Sequence, residues 1–227
     1  MQSADSTLAG DNVEADLFPQ DVRDARRERN RTAILETARD LFLKHGYERT
    51  TLRVIAKVAG VSASTVVKYF GDKKYLLAEL FDTDHRVIHE LAVRELSPDK
   101  SFLDQSIDGF RPIYRYYSRS PEYARAVLAT SAFPNDHDVD QAIIRKAYER
   151  TFWRIRRTIE IARDRGEIRT DEDDDAIVRV VLQLFTSECR AWLGGRVVDV
   201  EEGLAALRRS LAVVFHGLKG DRSAAGG

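Results

Sequence analysis

The chain has 227 residues, 43% of them hydrophobic, which is ordinary for a globular protein and long enough for one large domain or two modest ones. No apolar run approaches the roughly 20 residues of a membrane span, and the start lacks the basic and apolar regions of a secretory signal. The single cysteine, Cys189, excludes an intrachain disulfide. We therefore expect a soluble cytoplasmic protein with no membrane partner.

The net charge of -1 hides an uneven distribution of charge along the chain. Residues 22–76 hold 13 lysines and arginines against 6 acidic residues, a balance of +7, whereas residues 1–21 hold five acids and no base. The rest of the chain is mildly acidic. A basic segment in an otherwise acidic chain indicates local attraction to phosphate groups.

Residues 1–22 are polar, acidic and without periodicity, which predicts a flexible tail. A helix follows, because apolar residues recur there at the helical period until Gly46 ends the helix. These apolar residues are Ile34, Ala38, Leu41 and Phe42.

Two short helices and one long helix are predicted next, each with a polar cap at its start and with glycines at the turn and the stop. In chain order these positions are Thr50 or Thr51, Gly60, Ser62, Gly71 and Asp72. The inward residues are Leu52, Ile55 and Ala56 in the first helix and Val66 and Phe70 in the second, and the long helix runs through Leu76, Leu80 and Leu91 towards Pro98.

Beyond Pro98, five more helical segments lie near residues 100–119, 121–133, 137–166, 172–194 and 199–218, separated by proline or glycine. No alternating strand pattern extends beyond a few residues. We therefore predict an all-α fold of about nine helices.

The stretch TTLRVIAKVAGVSASTVVKYFGDKK has the order of a helix-turn-helix, with a glycine turn between two short helices. The outward residues of the second helix are mostly small, which lets a helix approach base edges in the major groove. They are Ala63, Ser64, Val67 and Lys68. The preceding run DARRERNR is expected near the phosphate backbone. Taken singly, such residues are caps, core or solvated surface, but their joint spacing favours DNA binding.

The run GVSASTVVKYFGDKKYLLAEL resembles the signature of the TetR family of transcriptional regulators, and ETARDLFLKHGYERTTLRVIAKVAG is similar to the family's first two helices. The resemblance covers about residues 28–88. It implies a homeodomain-like, three-helix DNA-binding domain at residues 23–75 and a helical regulatory and dimerisation domain at residues 76–219. A second flexible tail is expected at residues 220–227.

The resemblance also implies which residues contact DNA. Thr51 would cap the second helix and contact phosphate, Arg53 would reach a base or phosphate, and Lys73 would anchor a phosphate at the start of the fourth helix. The recognition helix would contribute Ala63, Ser64, Thr65, Lys68 and Tyr69. Val67 stands where a tyrosine is usual and Ser64 where Gly or Ala is frequent, which shifts the expected affinity towards Arg53 and Lys68.

Aromatic residues are dense in the C-terminal part of the chain. By spacing alone they are core, but the resemblance implies that helices 100–119, 121–133 and 137–166 enclose a pocket for a small-molecule inducer. The expected lining residues are Phe110, Tyr114, Tyr117, Phe133, Tyr148 and Phe152.

Apolar stripes also run along the last two helices, where spacing alone again assigns them to the core. The resemblance implies that these helices form a four-helix bundle in a homodimer. The expected dimerisation residues are Val181, Phe185, Leu207, Leu211 and Val214. Two recognition helices about one DNA turn apart (~34–36 Å), or a multiple of it, predict a palindromic operator.

Other candidate sites are weaker. His85 and His89 stand four residues apart on the fourth helix, but the pattern supplies no third ligand, so we interpret them as surface histidines and expect no metal. Cys189 is expected to be inert core. The sequence has no Ser-His-Asp framework, glycine-rich phosphate loop or paired CxxC motifs, so we predict neither an enzyme nor a cofactor.

The leading hypothesis is a repressor that binds a palindromic operator in double-stranded DNA as a homodimer and is released by a small-molecule inducer. An activator or a ligand-independent regulator would bind DNA in the same way. An all-α enzyme, or a scaffold that assembles through its last two helices, is the alternative from another class.

Overall fold

The computed structural model describes residues 20–130, 139–168 and 171–216. Within these ranges the protein has nine α-helices and no strand, which confirms the all-α prediction. The helices are α1 (Gln20–His45), α2 (Leu52–Val58), α3 (Ala63–Phe70), α4 (Lys73–Arg94), α5 (Phe102–Ser118), α6 (Pro121–Thr130), α7 (Val139–Asp164), α8 (Asp174–Gly194) and α9 (Val200–His216).

The first helix begins earlier than the sequence suggested. Residues 20–22 belong to α1 and not to the predicted tail. Residues 1–19 and the predicted tail at residues 220–227 lie outside the described residues. None of the helices in the described ranges is long and apolar enough to cross a membrane.

The predicted polar caps begin the helices of the N-terminal part. The side chain of Thr51 accepts a hydrogen bond from the backbone N–H three residues later, and Ser62 and Asp72 do the same for α3 and α4. Thr50, the other candidate, donates instead to the backbone carbonyl of Gly46. Each cap satisfies an N–H that the first turn of a helix leaves without a partner.

Helices α1–α3, which we call the head, share a small core. Seven of the inward residues that periodicity predicted are at most 2% exposed, whereas the other two, Leu41 and Leu52, are only partly buried. The seven are Ile34, Ala38 and Phe42 of α1, Ile55 and Ala56 of α2, and Val66 and Phe70 of α3. This core is continuous with that of α5–α9, which we call the body.

Helix α4 connects the head with the body. It lies along α7 and also contacts α1, α5 and α6, while α9 packs against α5 and α8. Only two residues separate the end of α3 from the start of α4. The position of the recognition helix therefore follows the position of α4.

The buried face of α4 moves around the helix along its length. Leu76 and Leu80 are buried near the head, whereas further along the core residues are Ile88 and Ala92. Leu91, which the sequence placed on the same helix, is 46% exposed. The change of face follows the change of partner from the head to α7.

The prediction of two surface histidines on α4 was also wrong. His85 is 5% exposed, and its ring centroid lies 4.1 Å from that of Phe81. Burial, and after it the charge of Arg150, lower the pKa of His85 to about 3. His89 is half-buried beside Trp153. Within the described residues, no group of three or more metal-ligating side chains surrounds either histidine.

Four helices converge on one carboxylate, in a cluster that we call the Asp84 junction. Asp84 of α4 is 8% exposed and accepts a 2.9 Å hydrogen bond from Nε of Arg39 in α1. Its other oxygen accepts hydrogen bonds from the hydroxyls of Tyr116 in α5 and, at 3.1 Å, Tyr123 in α6. A buried carboxylate is tolerated when its charge is paired and its lone pairs are bonded, as they are here.

We expect Asp84→Ala to lower the free energy of unfolding by about 3 kcal/mol, because it leaves the Arg39 guanidinium and two buried hydroxyls without their acceptor. Urea unfolding monitored by circular dichroism measures this. The matched control is Asp40→Ala on the exposed side of α1, which should change the free energy by no more than ~0.5 kcal/mol. Equal effects of the two substitutions would show that the junction contributes nothing specific.

The buried His85 should make stability depend on pH. In the folded chain His85 stays neutral down to about pH 3, whereas the unfolded chain takes up its proton below about pH 6.5. Stability is therefore lost as the pH falls from about 6.5 towards 3, by on the order of 1 kcal/mol per pH unit.

Urea unfolding at pH 7.5, 6.5 and 5.5 tests this expectation. The loss of stability between pH 6.5 and 5.5 should be smaller in His85→Gln than in the parent, whereas His45→Gln, at an exposed position on α1, should behave as the parent does. If the free energies of unfolding of the parent and of His85→Gln differ by the same amount at all three pH values, the expectation is contradicted.

Candidate nucleic-acid interface

The turn between α2 and α3 fixes the angle of the recognition helix. Gly60 adopts a φ of +71°, which L-residues rarely adopt, and the N–H of Val61 donates to the carbonyl of Ala56. The buried residues of both helices lie beneath this turn. The helix-turn-helix predicted from the sequence is therefore present as a rigid pair of helices.

The outward face of α3 carries the predicted side chains. Ala63, Ser64 and Lys68 are exposed, as is Val67, with 50% of its surface accessible. Thr65 and Tyr69 are half-buried. This face combines small residues with one cation and one exposed branched apolar group, which can contact the methyl group of thymine.

Three hydroxyls form a cluster at the start of α3. The Oγ of Ser62 lies 2.8 Å from Oγ of Ser64 and 2.7 Å from Oγ1 of Thr65, and it also caps the helix. The cluster holds the two predicted contact residues in defined rotamers. Ser62 Oγ has three partners and so uses its donor and both lone pairs, whereas the hydroxyls of Ser64 and Thr65 keep acceptor capacity for a further bond.

At the start of α2, Thr51 and Arg53 are both exposed. Thr51 serves as the cap, so its position relative to the helix axis is fixed. Arg53 stands in the first turn, where its side chain extends from a short helix that the core residues Ile55 and Ala56 hold in place.

Lys73, predicted as a phosphate anchor, makes intramolecular contacts. Its ammonium donates to the carbonyl of Tyr47 at 3.0 Å and to that of Glu48 at 3.5 Å, and it lies 4.1 Å from the centroid of the Tyr47 ring. Two carbonyls occupy two of the three N–H groups. One N–H remains for an external acceptor.

The first turns of α1 and the exposed face of α3 enclose a groove of about 460 Å³. Sequence reasoning placed DARRERNR near DNA but did not identify this groove, because the approach of the two helices is a tertiary feature. The lining residues are Val22, Arg23, Arg26, Arg27, Arg29 and Asn30 of α1, and Thr65, Lys68 and Tyr69 of α3. The groove thus brings four arginines beside α3, and such a cluster of positive charge attracts anionic phosphates.

The predicted pocket residues that the structure describes are buried or half-buried in the body. Phe110, Tyr114 and Tyr117 are at most 3% exposed, while Tyr148 and Phe152 are half-buried. The Phe110 ring stacks on Phe185 with centroids 4.4 Å apart, but the hydroxyl of Tyr114 is buried without a hydrogen-bond partner. Phe133 lies outside the described residues.

Most of the residues predicted for dimerisation are buried within the single chain. Val181, Phe185, Leu207 and Leu211 are at most 3% exposed, so their side chains belong to the core and do not face a partner. Of that set, only Val214 is exposed, at 46%. The outward apolar residues of α8 and α9 are instead Val180, Val213 and Val214, with Leu184 half-buried.

Cys189 is fully buried, as predicted, and burial raises the pKa of its thiol to about 12. A thiol of this kind does not ionise near neutral pH and stays unreactive.

Comparison with known proteins gives a family match for the head. Residues 34–80 match the model of bacterial regulatory proteins of the tetR family. The HTH-type transcriptional regulator TtgR of Pseudomonas putida is 36% identical over 73 residues, which are 32% of this chain and 35% of TtgR. The repressor AcnR of Corynebacterium glutamicum is 40% identical over 55 residues, 24% of this chain and 29% of AcnR. The chain thus spans about a third of the length of the curated relatives it matches.

The fold of the whole described chain also has known counterparts. FadR of Thermus thermophilus, a TetR-family repressor solved with lauroyl-CoA, aligns with a TM-score of 0.65 and 22% identity over 88% of this chain and 99% of that chain. FadR of Bacillus subtilis, solved with stearoyl-CoA, aligns with a TM-score of 0.63 and 15% identity over 83% and 99%.

The matching relatives are transcriptional regulators, in agreement with the prediction that the chain is not an enzyme. The sequence of the head and its helix-turn-helix geometry lead to the same comparison. Residues 34–80 are similar to the tetR family of bacterial regulatory proteins, and the described chain shares its all-α fold with TetR-family regulators of known structure.

Proposed function

We propose that this regulator represses transcription by binding a palindromic operator as a homodimer and releasing it when a small molecule binds to the body. The observation that carries the DNA-binding part is the recognition helix, whose exposed face of small residues and Lys68 stands beside a groove lined by four arginines. The family relatives named as repressors support the sign of regulation.

Each part of the head has a role in this proposal. The small residues of α3 let the helix backbone approach base edges, and Lys68 and Val67 contact them in the major groove. The arginines of α1, Arg53 of α2 and the remaining N–H of Lys73 contact phosphates and set the position of the head. The half-buried Tyr69 supports the face from below.

Lys68→Ala and Arg53→Ala should each weaken operator binding roughly 5- to 50-fold while the melting temperature stays unchanged, because both side chains are exposed. Fluorescence anisotropy titration measures this on an operator selected from genomic fragments by the parent protein. Lys146→Ala, at an exposed lysine of α7, is the matched control and should bind as the parent does. Parent-like affinity of both head variants contradicts the assignment.

The dimer is proposed to form through α8 and α9. A helix-turn-helix domain that recognises a palindrome needs a two-fold interface. On these two helices Val180, Val213 and Val214 are at least 36% exposed, and Leu184 lies beside them half-buried. Pairing this face with its symmetry mate removes the exposed apolar groups from water and makes a four-helix bundle.

Val213→Glu should convert the dimer into a monomer, because it places a charge in an apolar interface where it has no partner. Sedimentation velocity at micromolar concentration measures the oligomeric state. The control is Val87→Glu, at a valine of α4 with similar exposure, 56% against 53%, which should remain dimeric. A parent protein that is monomeric with and without DNA overturns the proposed interface.

The body is proposed to bind the ligand that releases DNA. Because α4 contacts both α1 of the head and α7 of the body, a ligand that displaces α4 changes the placement of the recognition helix. The two FadR proteins were solved with acyl-CoA molecules, but identities of 22% and 15% support the fold alone and leave the ligand of this chain open.

A further inference from the structure

Arg154 of α7 is the largest fully buried side chain in the described part of the protein. Its side chain is 2% exposed, and both terminal nitrogens, Nη1 and Nη2, are buried without a hydrogen-bond partner. Each of these nitrogens carries two N–H donors. A buried guanidinium in a folded protein is normally paired and hydrogen-bonded, so this one lacks what such a group requires.

The body is shaped to admit this guanidinium. Its Cζ lies 4.8 Å from the centroid of the Phe110 ring, which stacks on Phe185. Gly109 of α5 faces it so closely that a Cβ added there would lie 1.8 Å from Nη1. A residue with a side chain at position 109 would therefore collide with the Arg154 side chain.

The electrostatic surroundings of Arg154 contain other cations and neutral rings. His85 and His89 of α4 both have a pKa lowered first by burial, and Arg154 contributes to the lowering in each case. Arg150, one turn away, is already paired with Asp82 at 2.6 Å. Burial alone lowers the pKa of Arg154 to about 10, with no carboxylate of the described residues acting to raise it. The guanidinium is thus charged at neutral pH, and the described residues place no anion beside it.

A second buried polar atom lies near Arg154. Nδ1 of His89 in α4 is buried without a hydrogen-bond partner among the described residues, and after burial the charge of Arg154 contributes most to the lowered pKa of His89. The surroundings of Arg154 therefore combine the Phe110 ring with an imidazole nitrogen that remains free to bond.

We propose that Arg154 binds the carboxylate of an organic acid whose apolar or aromatic part lies among the rings of the body. The planar guanidinium offers two parallel N–H groups to the two oxygens of a carboxylate. One positive charge balances one negative charge, whereas a phosphate dianion would leave an excess of negative charge in the core. The aromatic side chains around Phe110 provide contacts for the uncharged part of the ligand.

This site identifies an organic acid as the class of ligand for the proposed function. The release of DNA on binding rests on that proposed function. A carboxylate on Arg154 lies close to the histidines of α4, the helix that continues into the head. Binding can therefore shift α4 relative to α7, and with it the recognition helix.

The test compares the parent with Arg154→Met, in which a flexible apolar side chain replaces the guanidinium, by thermal melting without DNA. In the absence of ligand Arg154→Met should melt at a higher temperature, because an unpaired buried charge is removed. Benzoate, phenylacetate and octanoate are then added at equal ionic strength, each beside its primary amide, with inorganic phosphate as a further probe.

At a hundredfold excess over its Kd, a bound carboxylate should raise the melting temperature of the parent by roughly 5–10 °C, its amide much less, and neither should act on Arg154→Met. Arg157→Met, an exposed arginine on the same helix, is the matched control and should keep the response. If Arg154→Met does not fold, Arg154→Lys replaces it in the same melting experiment. This variant keeps the charge but loses the planar pair of donors, so it too should lose the response to the carboxylate.

The proposal is overturned if no carboxylate raises the melting temperature of the parent more than its amide does. It is also overturned if the rise persists in the Arg154 variant, or if phosphate is the only probe that produces it. Anisotropy with operator DNA is measured separately. A carboxylate that binds through Arg154 without releasing DNA supports the site and contradicts the proposed induction, so the two failures are distinguishable.

Discussion

The carboxylate of Asp84 is the point at which the head, α4 and the body of this protein meet. It accepts hydrogen bonds from Arg39 of the head and from the hydroxyls of Tyr116 and Tyr123 of the body. A buried charge is stable in one arrangement of donors and costly in others, so these bonds fix how α1, α5 and α6 stand around α4. The apolar core alone would fix this less sharply, because hydrophobic contact is not directional. The orientation of α3 therefore depends on a polar contact outside the proposed DNA-binding surface.

Helix α4 carries this constraint in both directions. Two residues separate its start from α3, Asp84 lies near its middle, and His85 and His89 follow beside Tyr148 and Trp153 of α7. A displacement of the part of α4 that carries the histidines would therefore pass through the Asp84 junction before it reached the head. Packed helices shift between discrete arrangements and do not bend continuously. On the proposed function, the junction is the contact that such a shift would have to rearrange.

Sequence reasoning was most accurate where local chemistry decides the structure. The caps at Thr51 and Ser62 and the turn at Gly60 depend on hydrogen bonds and φ angles within a few residues, and the structure places them as predicted. The outward face of α3 followed from the helical period. Sequence reasoning was least accurate where distant elements meet, as at the arginine-lined groove and the Asp84 junction.

In α7, Trp153 is 55% exposed and its neighbour Arg154 is buried, which is the reverse of the ordinary preferences of tryptophan and arginine. The period of the apolar residues in α7 points Trp153 away from the core, but only the packing of α5, with its glycine at position 109, explains how an arginine is accommodated. The dimerisation residues failed for a related reason, since α8 and α9 each have a strong apolar stripe facing their own core and a weaker one facing outward.

The protein has cationic side chains both in contact with water and buried away from it. This difference in exposure favours a different kind of anion for each of the two proposed sites. The arginines of the α1–α3 groove are exposed, where mobile ions screen each charge and many weak contacts must add together. Such an array suits a repeating polyanion and makes binding strongly dependent on salt. Arg154 is buried, where screening is slight and one pairing is strong but requires a geometric match. That arrangement suits a single small anion and makes its binding nearly independent of salt. On these proposals, one buried arginine is enough to bind a small acid at cellular ionic strength, whereas binding DNA under the same conditions uses the whole basic segment of the head.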